Sequence, residues 1–557
     1  METNLTPPIS VQQTLQQPLH TYLRQHALER PHTAAILWYG YTVTWAELDR
    51  ASDAFAARLA ALGVRKGDPI ALFMNNCPQY VMAHYGIQKL GAIVCPCGPL
   101  YKEHELEYQL NDLQARILIA ADVLLPIVDK VRAKTALAHV FVVRYADLLP
   151  QLPAQPTLDI PTELLAMRAT AQSTPQSVPV NTEDFLATTQ SGAACPKVDL
   201  DMSDVALMTY TSGTTGLPKG AMLSYANALF KTAAAANCNG VGPADVLLSI
   251  APLYHIAGMV MGINVSVYTG ATSVLLYRFD PVAVLQAVSR HRITWWYSIA
   301  PMNVAVMAVP GANDPARYDL SSLRMNPVTS FGITFTETLA QQWRGLAVNC
   351  AAFEAAYGLS ETHTVDTYMP HDAIRWGAHG KAVPGNTVRI LDPDTGTEVR
   401  PGEVGEITIQ GPGNFKGYWN NPAATAKTLK NGIVHTGDMG RMDTDGYLTF
   451  IGRFKEMIKV SGYSVFPEEV ETLLIKHPAI AQAAVIGVPD AQKGEVIRAF
   501  IVLKAGRLAG VDIDAPAIIA WARDNMASYK APRDVRFIDA LPATGAGKVL
   551  RRLLKDL

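Results

Sequence analysis

Apolar positions along the first 450 or so residues switch repeatedly between a helical period and strand-like runs. Thr44-Trp-Ala-Glu47 has the form of a capping box, and Leu48, Ala51, Phe55, Leu59 and Leu62 follow at helical spacing before Gly63. The apolar run 69–74 (PIALFM) then predicts a buried strand. The same order returns downstream. Asp280 and Pro281 supply a cap and a first-turn proline for a helix reaching Arg290, and residues 293–299 (ITWWYSI) predict the next strand. Repeated strand–helix units of this kind predict α/β layers with largely parallel sheets.

Three stretches depart from that order. Residues 150–203 are rich in Pro, Thr, Gln and Ser and predict a long surface connection. Residues 246–277 lack Asp, Glu, Lys and Arg and are long enough to cross a bilayer. Pro252, His255, Gly258, Asn264, Ser266, Thr269 and Gly270 interrupt them, which predicts strand, loop, helix and strand in a buried core and no transmembrane segment. Near 452–456 the sequence GRFKE follows a hairpin-like DTDGYLTFIG. Beyond it lie separate strands (AAVIGV, RAFIVL) and helices from Pro467 and Ala515. The fold class is therefore α/β: a large N-terminal domain of layered α/β subdomains (1–452) and a small α+β C-terminal domain (453–557).

Composition narrows the function classes. A chain of 557 residues, 49% hydrophobic and 17% charged, has material for a large packed core and is not disordered. Lys plus Arg (47) balance Asp plus Glu (49), so nothing points to a nucleic-acid partner held through phosphates. The six cysteines are scattered without a CxxC pair, and the N-terminus has neither a basic start nor an apolar stretch; both predict a cytoplasmic protein. HExxH is absent, and GxSxG is approached only by GYSVF at 462–466, so zinc and serine hydrolases lose their support.

The richest segment is YTSGTTGLPKG, residues 210–220. An apolar strand runs into hydroxyls and glycines whose N–H and O–H groups can close on a phosphate, and Lys219 adds a compact positive charge. It is not a Walker loop, because Pro218 and Gly220 stand where Gly and Ser or Thr would be needed. This segment resembles the phosphate-binding signature of the adenylate-forming superfamily: acyl-CoA synthetases, luciferases and peptide-synthetase adenylation domains. The superfamily's other motifs follow in order: PLYHIAG (252–258), YGLSET (357–362), GEVGEITIQGPGNFKGYWN (402–420), HTGDMG (435–440), GYLTFIGRFKEMIKVSGYSVFPEEVE (446–471) and LPATGAGKVLRRLL (541–554).

The resemblance implies an AMP-forming acyl-CoA synthetase of the fatty-acid–CoA ligase type, with ATP and CoA as co-substrates and Mg²⁺ as cofactor. Lys548 is then the amine that bridges carboxylate and α-phosphate, and Glu361 the Mg²⁺ ligand. Thr211, Ser212, Gly213, Thr214, Thr215, Gly216 and Lys219 hold phosphates, with Ser360 beside them. Tyr357 stacks on adenine, Gly358 belongs to the nucleotide site and Gly332 to the adenine and acyl pocket; Asp438 holds the ribose, and Arg453 makes a ribose or phosphate contact. Lys455 is the hinge near 453–456, which makes the small C-terminal domain mobile, and Ser461 and Gly462 line the pantetheine tunnel. His255 lies near the acyl carboxylate, with a satisfied core histidine as the other reading.

Tyr225 departs from the family pattern after MLS, and SFGIT (330–334) departs from it at the pocket wall. The small or apolar candidate lining favours a medium- or long-chain fatty acid. An aromatic acid stays open, with His363 available to a polar substituent. So does transfer to a free-standing carrier protein, and so does a homo-oligomer.

Overall fold

The computed structural model describes residues 17–150, 158–173, 181–211, 217–330, 333–460, 463–490, 494–543, 549–555 and 557, with the backbone alone for 170–173 and 464. The first helix read from the sequence runs Trp45–Ala61 with both halves of its capping box formed: Glu47 N donates to Thr44 Oγ1 at 3.2 Å, and Thr44 N to Glu47 Oε2 at 2.8 Å. Its apolar stripe of Leu48, Phe55 and Leu59 is buried. The strand after it, Pro69–Phe73, takes a central place in a seven-stranded sheet. In order across that sheet stand Thr182–Asp184, His139–Val143, Ile117–Ala121, Pro69–Phe73, Ile93–Cys97, Val205–Thr211 and Lys219–Ser224. All neighbours are parallel except the last pair, a hairpin that sets Thr211 opposite Lys219.

A second sheet of eight strands packs the middle of the chain, parallel except for the hairpin Ala34–Trp38/Tyr41–Thr44. Met325–Thr329 lies beside Ala351–Glu354 in it. Loops that leave the carboxyl ends of parallel strands are where α/β folds build their sites. Here the ends of Val205–Thr211, Met325–Thr329 and Ala351–Glu354 release the segments beginning at 212, 330 and 355.

Two sequence expectations are corrected. Residues 293–299 form two short strands, Trp295–Trp296 and Ser298–Ile299, both pairing with Met325–Thr329, instead of one. The polar stretch 150–203 is not merely a surface connection. It holds the helices Thr162–Ser173 and Phe185–Thr189, and the edge strand Thr182–Asp184 between them. Phe185 explains this: fully buried, it packs on Phe55 with ring centroids 4.9 Å apart, and Asp184 caps the helix that follows it. One well-placed aromatic side chain outweighs a polar average.

The charge-free stretch reads as expected: strand Val246–Ser249, a continuous helical run from Ile256 to Thr269, then strand Thr272–Leu275. Among the described residues no helix is long and apolar enough to cross a membrane.

Further on, an antiparallel sheet carries Ile433–Met442 beside Leu448–Arg453. Past Glu456 another five-stranded sheet forms, with helices Pro467–Leu474 and Ala515–Asn525. Its core of Ile458, Val470, Leu474, Val485, Ile497 and Ile518 is separate from the main one. The protein is thus a large α/β body followed by a small α+β unit.

Candidate active site

Glu361 sits in the short 3₁₀ turn Ser360–Thr362, beyond the end of Ala351–Glu354. The chain reaches it past Gly358, where a Cβ would stand 2.5 Å from Val365 N, and leaves it through His363, Thr364 and Val365 at φ 59°, 60° and 48°. Three successive left-handed residues without a glycine cost about 1–2 kcal/mol each. The surroundings hold them. Thr364 N donates to Leu359 O at 2.7 Å and Asp366 N to Tyr357 O at 2.8 Å. Lys231, fully buried on the helix Tyr225–Asn239, donates to Val365 O at 3.0 Å and to Asp366 Oδ1 at 2.5 Å. Asp366 also accepts from Asn386 Nδ2 at 3.0 Å and from the Thr362 hydroxyl. Burial lowers the Lys231 ammonium and raises the Asp366 carboxyl, each opposed by the other's charge.

The Glu361 carboxylate meets the segment GNFKGYWN. Tyr418 Oη donates to Glu361 Oε1 at 2.7 Å, and Phe415 N to Glu361 O at 2.8 Å. Tyr418 bridges Ala221, and Trp419 N donates to Gly220 O at 2.8 Å, so this segment lies along the outer strand of the hairpin. Lys219 Nζ stands 5.2 Å from the Tyr418 ring centre. Residues from 210–220, 357–362 and 402–420 therefore converge. Among the described residues no group of three or more His, Cys, Asp and Glu is arranged so that it could hold a metal ion. A single carboxylate fits Mg²⁺, which takes few protein ligands when phosphate oxygens and water supply the rest.

Asp438 and Arg453 face each other across paired strands, with Arg453 Nε 3.2 Å from Asp438 Oδ1. Tyr357 Oη donates to Asp438 Oδ2 at 2.8 Å, and the Tyr357 ring lies on Phe450 with centroids 5.9 Å apart. Burial, then the Asp438 carboxylate, pushes the Tyr357 hydroxyl well above its ordinary value. Burial pulls the Arg453 guanidinium down, but Asp438, Glu456, Tyr357 and Glu361 together raise it. Arg453 thus pairs with Asp438 and feels the Glu361 carboxylate at longer range. Lys455 is exposed, and burial, then the positive charges of Lys427, Lys219 and Arg453, lower it.

Ser360 is half-buried, Gly358 exposed, and Thr211 closes its strand at the mouth of the hairpin. His255 is exposed, against the core reading; it precedes the helix Ile256–Met259, and its ring tilts on Tyr254 at 5.6 Å. Behind it the backbone makes a π-turn, Val260–Asn264, and the Gly262 carbonyl accepts from Ser249 Oγ at 2.7 Å. Interruptions of this kind often mark functional walls. Ser212, Gly213, Thr214, Thr215, Gly216, Gly332, Ser461, Gly462 and Lys548 lie outside the described residues.

Sequence reasoning missed Tyr418, Lys231, Asp366 and Glu354. Glu354 is buried, and its carboxylate takes both Ser330 N (3.1 Å) and the Ser330 hydroxyl, which in turn accepts from Phe335 N at 2.8 Å. It thereby anchors the start of SFGIT. Burial pushes its carboxyl to about 7. Only Tyr418 had a local signal, its place inside the quoted motif 402–420.

The chain is similar to known proteins over almost all of its length. The sequence matches the AMP-binding enzyme family over residues 23–419 and the AMP-binding enzyme C-terminal domain over 469–548. It is 34% identical over 558 residues to a long-chain-fatty-acid–CoA ligase of Bacillus subtilis (strain 168), covering 97% of this chain and 94% of the relative. It is 33% identical over 539 residues to a feruloyl-CoA synthase of Amycolatopsis sp, covering 96% and 98%. Among solved structures, an anthranilate CoA ligase in complex with anthranoyl-AMP superposes with a TM-score of 0.83 at 27% identity, over 98% of each chain.

Proposed function

The chain belongs to the family of AMP-binding enzymes and is an acyl-CoA synthetase of the AMP-forming type, and we propose that its acid is hydrophobic, a medium- or long-chain fatty acid. The observation that carries the site assignment is the convergence on Arg453. Arg453 pairs with Asp438, which Tyr357 also meets, a set suited to ribose hydroxyls and an adenine face; within electrostatic reach of it lies Glu361, which Tyr418 joins to Lys219 in a set suited to a triphosphate.

In this reading ATP and the acid bring two anions together. The carboxylate oxygen attacks the α-phosphorus, pyrophosphate leaves, and the acyl-adenylate forms; the CoA thiolate then attacks the acyl carbon and AMP leaves. Lys219 and the hydroxyls of Thr211, Ser212, Thr214 and Thr215 hold phosphate oxygens, with Ser360 near them, and Asp438 and Arg453 hold the ribose. Glu361 would hold Mg²⁺, which supplies charge neutralisation on the phosphates when bound. Lys548 delivers an ammonium to the junction of carboxylate and phosphate for the first step and withdraws for the second, turning about Lys455. Residues 453–557 are the moving domain, and Ser461 and Gly462 admit the pantetheine arm.

Ile256 and Met259 are buried beside His255 and give an apolar wall, which supports an alkyl chain. One feature favours an aromatic acid with a polar substituent as a second reading. His363 is fully buried, both its ring nitrogens lack a hydrogen-bond partner, and burial first, then Lys231 and His84, lower it to about 3, so it is neutral. A substrate hydroxyl would satisfy it. We place the protein in the cytoplasm, on its scattered cysteines.

The test is a panel of fatty and aryl acids with ATP, Mg²⁺ and CoA, following pyrophosphate and acyl-CoA together. Stoichiometric acyl-CoA from alkyl acids is expected. Turnover confined to hydroxylated aryl acids would replace the fatty-acid reading with the second one. Pyrophosphate without acyl-CoA would point to a carrier protein as acceptor.

A further inference from the structure

The segment that carries Lys548 has a paired base. Ala543 and Val549 form an antiparallel bridge, and Leu550 N donates to Pro542 O at 2.8 Å. Arg551 then opens the helix Arg551–Leu554, and its largely buried guanidinium meets three carboxylates. Glu471 takes a fork, from Nη2 to Oε2 at 2.8 Å and from Nε to Oε1 at 3.2 Å. Glu468 Oε1 lies 3.0 Å from Nη1, and Glu456 Oε2 accepts from the same Nη1.

The three acids are not equivalent. Glu468 and Glu471 belong to the helix Pro467–Leu474, and Glu471 Oε1 also accepts from Val485 N at 2.8 Å in the strand Ile480–Asp490. The fork on Glu471 is enough to seat the terminal helix on the small unit. Glu456 instead closes the turn Phe454–Glu456 and follows Lys455 directly. Gathering three largely buried acids about one guanidinium is unfavourable for packing alone. Burial, and after it Glu471 and Glu456, push the Glu468 carboxyl to about 7 even though Arg551 opposes them. The contact to Glu456 is the one that packing does not require.

We propose that Arg551 is a positioning residue that ties the base of the Lys548 segment to the hinge through Glu456, so that amine and hinge turn as one body. The proposal rests on the roles given above to Lys548 and Lys455. Glycines leave a backbone many conformations, so a lysine in the glycine-rich sequence TGAGK gains precision from a fixed base. Catalysis punishes imprecision steeply, a 1 Å misplacement costing on the order of 100-fold. With Glu456 bound to Arg551, the rotation about Lys455 alone sets where the ammonium arrives.

The test uses the full-length enzyme with three variants, Glu456→Gln, Arg551→Lys and Lys548→Ala. ATP–pyrophosphate exchange reads the first half-reaction, and CoA thioester formation from supplied acyl-adenylate reads the second. Glu456→Gln relieves a crowded buried acid and should fold with an unchanged or higher Tm. It should nonetheless lower exchange about 10-fold while thioester formation stays within about twofold, and Arg551→Lys should show the same split. Unchanged exchange in Glu456→Gln, or equal loss in both halves, overturns the coupling. Lys548→Ala separates the two ideas. If it abolishes exchange while Glu456→Gln does not, the coupling fails and the role of Lys548 stands; if Lys548→Ala leaves exchange intact, that role falls and the coupling falls with it.

Discussion

Tyr418 and Glu361, 57 residues apart, share a hydrogen bond of 2.7 Å from the phenol to a carboxylate oxygen. The bond fixes one oxygen of the carboxylate we assign to Mg²⁺, and the same phenol ring carries Lys219 Nζ on its face at 5.2 Å. Tyr418→Phe keeps the ring and removes the donor. A hydrogen bond to a charged group contributes about 1.5–3 kcal/mol, so adenylation should fall roughly 10- to 100-fold and the Mg²⁺ concentration for half-maximal exchange should rise. Thioester formation from supplied acyl-adenylate should be spared. Unaltered Mg²⁺ dependence in this variant would remove Glu361 from the metal.

Lys231 and Asp366 form an ion pair with both side chains at 0% exposure. Lys231→Met leaves Asp366 buried without its counter-charge, which costs about 3–5 kcal/mol. It also takes away the donor to Val365 O that helps hold the left-handed turn after Glu361. A large drop in Tm is expected, with an increased KM for ATP under conditions where the variant stays folded. Adding Asp366→Asn should restore part of the stability, because the stranded charge is then gone. Lack of any recovery in the double variant would mean that the ammonium acts through shape rather than charge.

Gly358 is the one position in YGLSET where space decides the residue. An alanine Cβ would fall 2.5 Å from Val365 N and 2.7 Å from Thr364 C, backbone atoms that cannot step aside. Overpacking of this kind typically costs 1–3 kcal/mol, here beside a turn already in left-handed geometry. Gly358→Ala should therefore lower Tm and weaken ATP binding together. Binding of ATP at wild-type affinity by a folded Gly358→Ala protein would show that the strained turn does not shape the site.

Much of this was legible in the sequence, and the reason differs by element. The helix after Thr44 and the one after Asp280 carry their own start signals within four residues, and both form as read. The chemical motifs could be located because each is contiguous. What joins them is not. Tyr418 to Glu361, Arg453 to Asp438 and Lys231 to Asp366 are contacts set by strand register and helix packing over 15 to 135 residues, which no local pattern encodes. Likewise the left-handed run at His363, Thr364 and Val365 contains no glycine to announce it, since it is held from outside by the buried lysine. The stretch 150–203 misled because its average is polar, whereas a few apolar side chains, Leu158, Leu164 and Phe185, are fully buried and seat it on the main core.

Glu354 makes a pH prediction with a definite sign. Burial raises its carboxyl from an ordinary 4.5 to about 7, with the two bonds from Ser330 acting against that rise. The folded state therefore holds the proton more tightly than the unfolded chain. The stabilisation is complete below pH 4.5, falls as pH climbs towards 7, and is absent above it, a swing on the order of 3 kcal/mol. Glu354→Gln keeps an acceptor for Ser330 N and cannot ionise. Relative to wild type, the Gln variant should thus gain stability as pH rises from 5 to 8, read as a widening difference in Tm or in urea midpoint. Because Glu354 anchors Ser330 at the head of the segment 330–334, the wild type should also show an acid-side advantage in acid-substrate KM that the variant lacks. Parallel stability curves for the two proteins across that range would mean that the carboxyl titrates normally and that its hold on Ser330 does not depend on the proton.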